Sequence, residues 1–217
     1  MSHANGEQIC RIVWGEHTIQ MADAFQKVFG DLKRHSVLLQ TDARLPNVCA
    51  LVVGAPVPGS WWAHPKSHAI FKVNSALADH PDVLVVKLIS GKLTYVERAL
   101  WPYVAAIGGA REAWQVKNLS QGARELLKNL DRAPVETDRQ LAKAASELEK
   151  TLLVYSEQFH TSAGSHARRL DTWDRWLRRK GATTLKLRPD QARDTLEQLV
   201  ASLNQEFNGN GRLPWRP

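Results

Sequence analysis

The chain has 217 residues, enough for one large domain or two small ones, and its 43% hydrophobic content supports a packed core. Lys and Arg number 29 against 22 Asp and Glu; the net charge of +7 favours a polyanionic partner, chiefly nucleic acid or an anionic membrane surface. Only two cysteines, Cys10 and Cys49, argue against a disulfide framework and for a reducing, cytoplasmic setting, and no secretory leader or apolar run near the ~20 residues of a membrane span is visible.

In chain order, Thr18 to Arg34 carries apolar residues at Ile19, Met21, Ala24, Phe25, Val28, Phe29 and Leu32, steps of three and four that predict an amphipathic helix. Ser36 to Gln40 reads as a short strand or a helical turn. Pro46 opens a second helical piece in a first-turn position, Gly54 stops it, and Cys49 within it reads as a buried small hydrophobe. Ser60 is an expected N-cap, but Pro65 delays regular helix until about His64; Ile70, Phe71, Val73, Asn74 and Leu77 then supply the pattern to His80-Pro81. Val83 to Ile89, the turn Ser90-Gly91 and the alternating Lys92 to Arg98 predict a β-hairpin, followed by a helix from Trp101 to Gly108-Gly109.

The second half predicts a similar order. Ser120 caps a helix to Leu130, Pro134 to Lys143 and Ala144 to Lys150 read as two further helical pieces, and a strand starts at Leu152 to Tyr155. Thr161 to His166, centred on Gly164, reads as a turn, and Ala167 to Leu170 as the returning strand before Trp173. A last helix runs from Pro189 to about Phe207, ahead of a Gly- and Pro-rich tail. Leu77 matches Leu148 at an offset of 71, Gly91 matches Gly164 at 73, and Trp101 matches Trp173 at 72, which suggests a duplicated unit. Three helices followed by a hairpin is the order of a winged helix. The expected fold is therefore α+β, helix-rich, with tandem winged-helix units at 1–112 and 113–217.

Candidate chemistry follows from charge. Arg168, Arg169, Arg175, Arg178, Arg179, Lys180, Lys186 and Arg188 are interleaved with Trp173 and Trp176 and face only Asp171 and Asp174 within the same segment, a composition suited to phosphate contact. Lys92 at the hairpin tip, and Lys66 and Lys72 around the presumed recognition helix, are further phosphate candidates. Trp61 and Trp62 stand at the start of that helix; adjacent residues point in different directions, so at least one is expected to be buried. His64 and His68 are four apart but lack a third ligand nearby, and no phosphate loop, Gly-x-Ser-x-Gly or CxxC occurs, so neither a metal nor a cofactor is expected.

The strings Leu45 to Gly54, Gly59-Ser60-Trp61-Trp62-Ala63-His64-Pro65, Lys87-Leu88, Gly91 to Thr94 and Arg98 to Pro102 resemble a bacterial family without an assigned activity. More distantly, Gln40-Thr41-Asp42 is similar to the Gln-x-Gln/Asp signature of the AlkZ and YcaQ type of tandem winged-helix DNA glycosylases. That resemblance implies Gln40 and Asp42 as residues that position and activate water at a glycosidic carbon; on the residues alone, Asp42 reads as a turn-forming side chain after Leu39. Three functions stay open at this level: a non-enzymatic DNA-binding protein with a regulatory or maintenance role, expected first; a glycosylase-like repair enzyme; and a protein-interaction module.

Overall fold

The computed structural model describes residues 22–160, 166–182 and 187–216. Helix α1 (residues 22–35) buries Val28 and Leu32, and Ser36, at a φ of 63°, turns the chain directly into strand β1 (Val37–Leu39). Helix α2 (Val48–Val53) begins at Asn47, whose side chain accepts from the Ala50 amide, and ends at Gly54, where a φ of 89° needs glycine. Pro46, expected inside the first turn, lies ahead of that cap. Ser60 makes no side-chain cap bond to the short 3-10 turn Trp61–Ala63, and helix α3 (Ser67–Asp79) starts three residues later than the expected His64. The cause is Pro65, which holds the preceding His64 extended at a ψ of 141°.

Strands β2 (Val83–Lys87) and β3 (Leu93–Glu97) form the expected hairpin, and β1 joins it on the other side of β3, giving the antiparallel order β1-β3-β2. Ser90 and Gly91 both take positive φ at the turn. Helix α4 (Trp101–Gly109) and the single-turn α5 (Ala113–Val116) lead into the second half.

There, Ser120 caps α6 (Gln121–Leu130) through the Ala123 amide, as expected. Residues 134–143 depart from the expected helix: β4 (Val135–Thr137) pairs with β6 (His166–Asp171), and Asp138 accepts from the Gln140 and Leu141 amides to start α7 (Ala142–Lys150). Sheet pairing across some thirty residues overrides the local helical propensity. Strand β5 (Tyr155–His160) lies on the other side of β6, so this sheet runs β4-β6-β5, the same order as the first. Helices α8 (Trp173–Arg179) and α9 (Pro189–Phe207) follow. The expected turn at 161–166 lies largely outside the described residues.

The repeat survives in its later part. The ends of α3 and α7 are offset by 71, the starts of β2 and β5 by 72, those of β3 and β6 by 73, and those of α4 and α8 by 72. It fails earlier, because residues 40–66 join β1 to α3 whereas only residues 138–141 join β4 to α7. The fold is thus mixed α+β and helix-rich, with a helix-strand-helix-helix-hairpin half and a shorter helix-strand-helix-hairpin half.

Each half has its own core, Val28, Leu38, Val73 and Leu77 in the first and Leu126, Leu130, Leu148 and Leu170 in the second. A third core crosses the 112/113 division: Val37, Leu39 and Val96 from the first sheet meet Trp101, Trp173, Trp176 and Leu196 from α4, α8 and α9. Trp101 lies 4.8 Å from Trp176, which stacks on Tyr155 at 4.7 Å. Arg98 stacks over Trp101 and donates to the Lys180 and Gly181 carbonyls, closing the end of α8. The C-terminal tail is a strap: Asn204 bonds both the amide and the carbonyl of Gly211, Ser90 exchanges two hydrogen bonds with Arg212, and Leu213 is buried.

Candidate nucleic-acid interface

Helix α3 has two well-separated faces. Ile70, Val73, Asn74 and Leu77, spaced as one helical stripe, are buried. The complementary stripe of His68, Phe71, Lys72, Ser75, Ala76 and Asp79 faces outward, with all but Ser75 exposed. Phe71, read as part of the helical pattern, is 46% exposed; the 70-73-74-77 spacing leaves position 71 off the buried face. Lys72 makes no hydrogen bond or ion pair among the described residues, while Lys66, at the N-cap, donates to the Val53 carbonyl at 3.2 Å. The first turn of α3 has no acidic residue, and Asp79 at its far end is the sole carboxylate of the outward stripe. Trp61 is buried and Trp62 exposed, which meets the expectation that at least one is covered.

The basic segment of the second half is largely neutralised, by Asp171 within it and by carboxylates outside it. Asp171, 1% exposed, accepts from Arg175 Nε and Arg179 Nη1, each at 2.7 Å. Arg175 also donates to the Leu130 carbonyl, closing α6. Arg168 donates to Glu149 at 2.9 Å, and the same carboxylate accepts from Lys87 of the first sheet at 3.2 Å, joining the two halves. Arg169 stands in register between Glu136 on β4 and Glu157 on β5. Arg188 pairs with Asp190, and Lys186 lies outside the described residues. Arg178 and Lys180 remain exposed, with side chains unpaired among the described residues.

Lys92 and Asp42, 50 positions apart in sequence, are an ion pair with Nζ to Oδ2 at 2.6 Å. The other Asp42 oxygen accepts from the Arg44 and Leu45 amides at 2.9 Å each, the geometry of a turn-forming aspartate. Burial alone would raise the Asp42 carboxyl, but Lys92 and the two amides outweigh it and hold the group below its ordinary value. Asp42 borders a cleft of about 460 Å³ shared with Arg34, His35, Arg44, Glu206 and Phe207. Gln40 follows β1, its amide donating to the Leu93 carbonyl at 2.8 Å, and the buried Tyr95 hydroxyl donates to Asn74 Oδ1 at 2.7 Å. Nearby Cys49 is fully buried, and desolvation pushes its thiol up to about 11, an unreactive state.

His64 Nδ1 accepts from the Lys66 amide and His80 Nδ1 from the Asp82 amide. Among the described residues no group of three or more His, Cys, Asp or Glu side chains could hold a metal ion, and no helix is long and apolar enough to cross a membrane. Comparison with protein-family models, curated proteins and solved structures gives no match for this chain.

Proposed function

We propose that the first half is a winged-helix unit and the second half a shorter unit of the same strand order that lacks one of the helices, and that the chain is a non-enzymatic DNA-binding protein, with α3 as the helix presented to a duplex. The observation that carries this reading is the outward stripe of α3. It offers Lys72, with Lys66 at the cap, in a setting free of carboxylates until Asp79, and it stands in the position after a strand and a preceding helix from which winged helices enter a major groove. The strand order β1-β3-β2 supports the same assignment.

In this reading affinity rests on the first half more than the segment charge of the second half suggests, because Arg168, Arg175 and Arg179 are already engaged by Glu149, Asp171 and Glu157. Arg178 and Lys180 are the second half's available phosphate contacts. Asp42 gives the glycosylase-type reading no support, since both its oxygens are occupied by partners that structure the loop.

The test is fluorescence anisotropy of a labelled duplex across a salt series. Affinity should fall linearly on logarithmic axes, and Lys72→Glu should weaken binding and reduce the slope by roughly one unit per lost phosphate contact. Salt-independent binding, or equal affinity of wild type and Lys72→Glu, would contradict the proposal.

A further inference from the structure

We propose that Trp62 is a nucleobase-stacking site, so that the α3 face takes DNA with an unpaired base in preference to a continuous duplex. This deepens, and rests on, the DNA-binding reading above.

Trp62 is 62% exposed, and with Phe71 it makes up the exposed large hydrophobic residues of the described chain. Its ring is held from behind. Trp61 stacks against it with centroids 4.0 Å apart and planes 25° apart, and Trp61 is itself anchored among Cys49, Val57 and Ile70. Phe71, one turn into α3, flanks it at 5.8 Å. The backbone beneath is fixed by the Ala63 amide donating to the Ser60 carbonyl and the His64 amide to the Trp61 carbonyl, at 3.1 Å each. An indole with one face packed and much of its surface in water is a pre-ordered platform.

Charge selects what lies on it. Two exposed lysines accompany the aromatic residues along the chain, Lys66 just before α3 and Lys72 next to Phe71, and no acidic residue stands in the first turn of α3. A flat apolar surface accompanied by cations fits a planar ring carried on a phosphate backbone. It fits an uncharged apolar protein segment less well, because such a segment would leave the cations without counter-charge. Continuous duplex offers only base edges in its grooves; the faces of its bases are covered by their neighbours. A base face becomes available where the stack opens, at a bulge, a gap, a flipped nucleotide or a single strand.

The experiment compares two labelled duplexes that differ by one unpaired thymine, titrated with the full chain at low salt. Wild type should bind the bulged duplex ~10-fold more tightly, within the range expected for one stacked base. Trp62→Ala should erase that preference while leaving affinity for the intact duplex within about twofold, and Trp62→Phe should retain most of it. A 2-aminopurine at the unpaired position should be quenched by wild type and not by Trp62→Ala. Equal affinity of wild type for the two duplexes, or a preference that survives Trp62→Ala, would overturn the stacking site while Lys72-dependent binding left the DNA-binding reading intact. Absence of binding to either duplex would overturn both.

Discussion

Replacing Gly108 by alanine tests the packing that joins the two halves. A Cβ at position 108 would lie 2.5 Å from the Leu152 carbonyl oxygen and closer still to Nε1 and Cδ1 of Trp173, where heavy atoms normally stand about 3.5–4.0 Å apart. Neither neighbour yields easily. The carbonyl is main chain and accepts the Trp173 indole N–H at 2.6 Å; the indole is 2% exposed and packed edge-on against Trp176. Overpacking costs about 1–3 kcal/mol, and disturbing a buried hydrogen bond adds roughly 1–3 kcal/mol. The gain in helix propensity returns at most ~1 kcal/mol. The net loss therefore falls between about 1 and 6 kcal/mol, or a fall in melting temperature on the order of 2–20 °C for a chain of this size. Gly109 is the internal control, because a Cβ there meets nothing within 4 Å. Thermal melts followed by circular dichroism should place Gly109→Ala at or slightly above wild type and Gly108→Ala well below it. Coincident melts of the two variants would refute the assigned contact.

Asp171→Ala removes a buried carboxylate shared by Arg175 and Arg179; because both guanidiniums reach water, urea denaturation should show a loss of about 2–4 kcal/mol, at or below the usual cost of breaking a buried pair. Asp42→Asn keeps an acceptor for the Arg44 and Leu45 amides and loses the half-exposed Lys92 pair, so it should cost ~0.5–1 kcal/mol by the same assay, against about 1–2 kcal/mol for Asp42→Ala. Acid should destabilise the fold. The Asp42, Glu112, Asp131 and Glu197 carboxyls are all held below their ordinary values: burial opposes this at Asp42 and Glu112 but is outweighed by Lys92 and Arg193, while Arg111 and Arg216 lead at Asp131 and Glu197. Their contribution is complete above the unfolded-state values near pH ~4 and is lost as pH falls through the lower folded values, so urea midpoints should be flat from about pH 5 to 7 and drop below about pH 4. In anisotropy titrations Lys72→Glu should weaken duplex binding more than Arg178→Glu does; the reverse order would move the contact to the second half.

Much of the architecture is written locally. The 70-73-74-77 stripe of α3, the Ser90-Gly91 turn, the Ser120 cap and the Pro189 start of α9 each depend on residues within a turn or two, and each is visible in the chain. Strand β4 is not, because Val135-Glu136-Thr137 becomes a strand only by pairing with residues 168–170. The site residues divide along the same line. The excess of cations at 168–188 is a fact of the segment, and Asp171 within it is visible as an acid, but Glu149 on α7 and Glu157 on β5, which compensate Arg168 and Arg179, stand outside it. The Asp42–Lys92 pair is likewise invisible until the first hairpin is folded against the loop after β1. The Gly- and Pro-rich tail is fastened by Asn204, and at Gly209 and Gly211 a Cβ would collide with Leu45.

If α3 of the first half meets DNA, a bound duplex must shield its amides. Hydrogen–deuterium exchange of the full chain, with and without a saturating duplex at low salt, tests it most directly. New protection should be concentrated at residues 61–79, with little change along α8 beyond its Arg178–Lys180 end. Protection confined to the second half, or none anywhere, would contradict it.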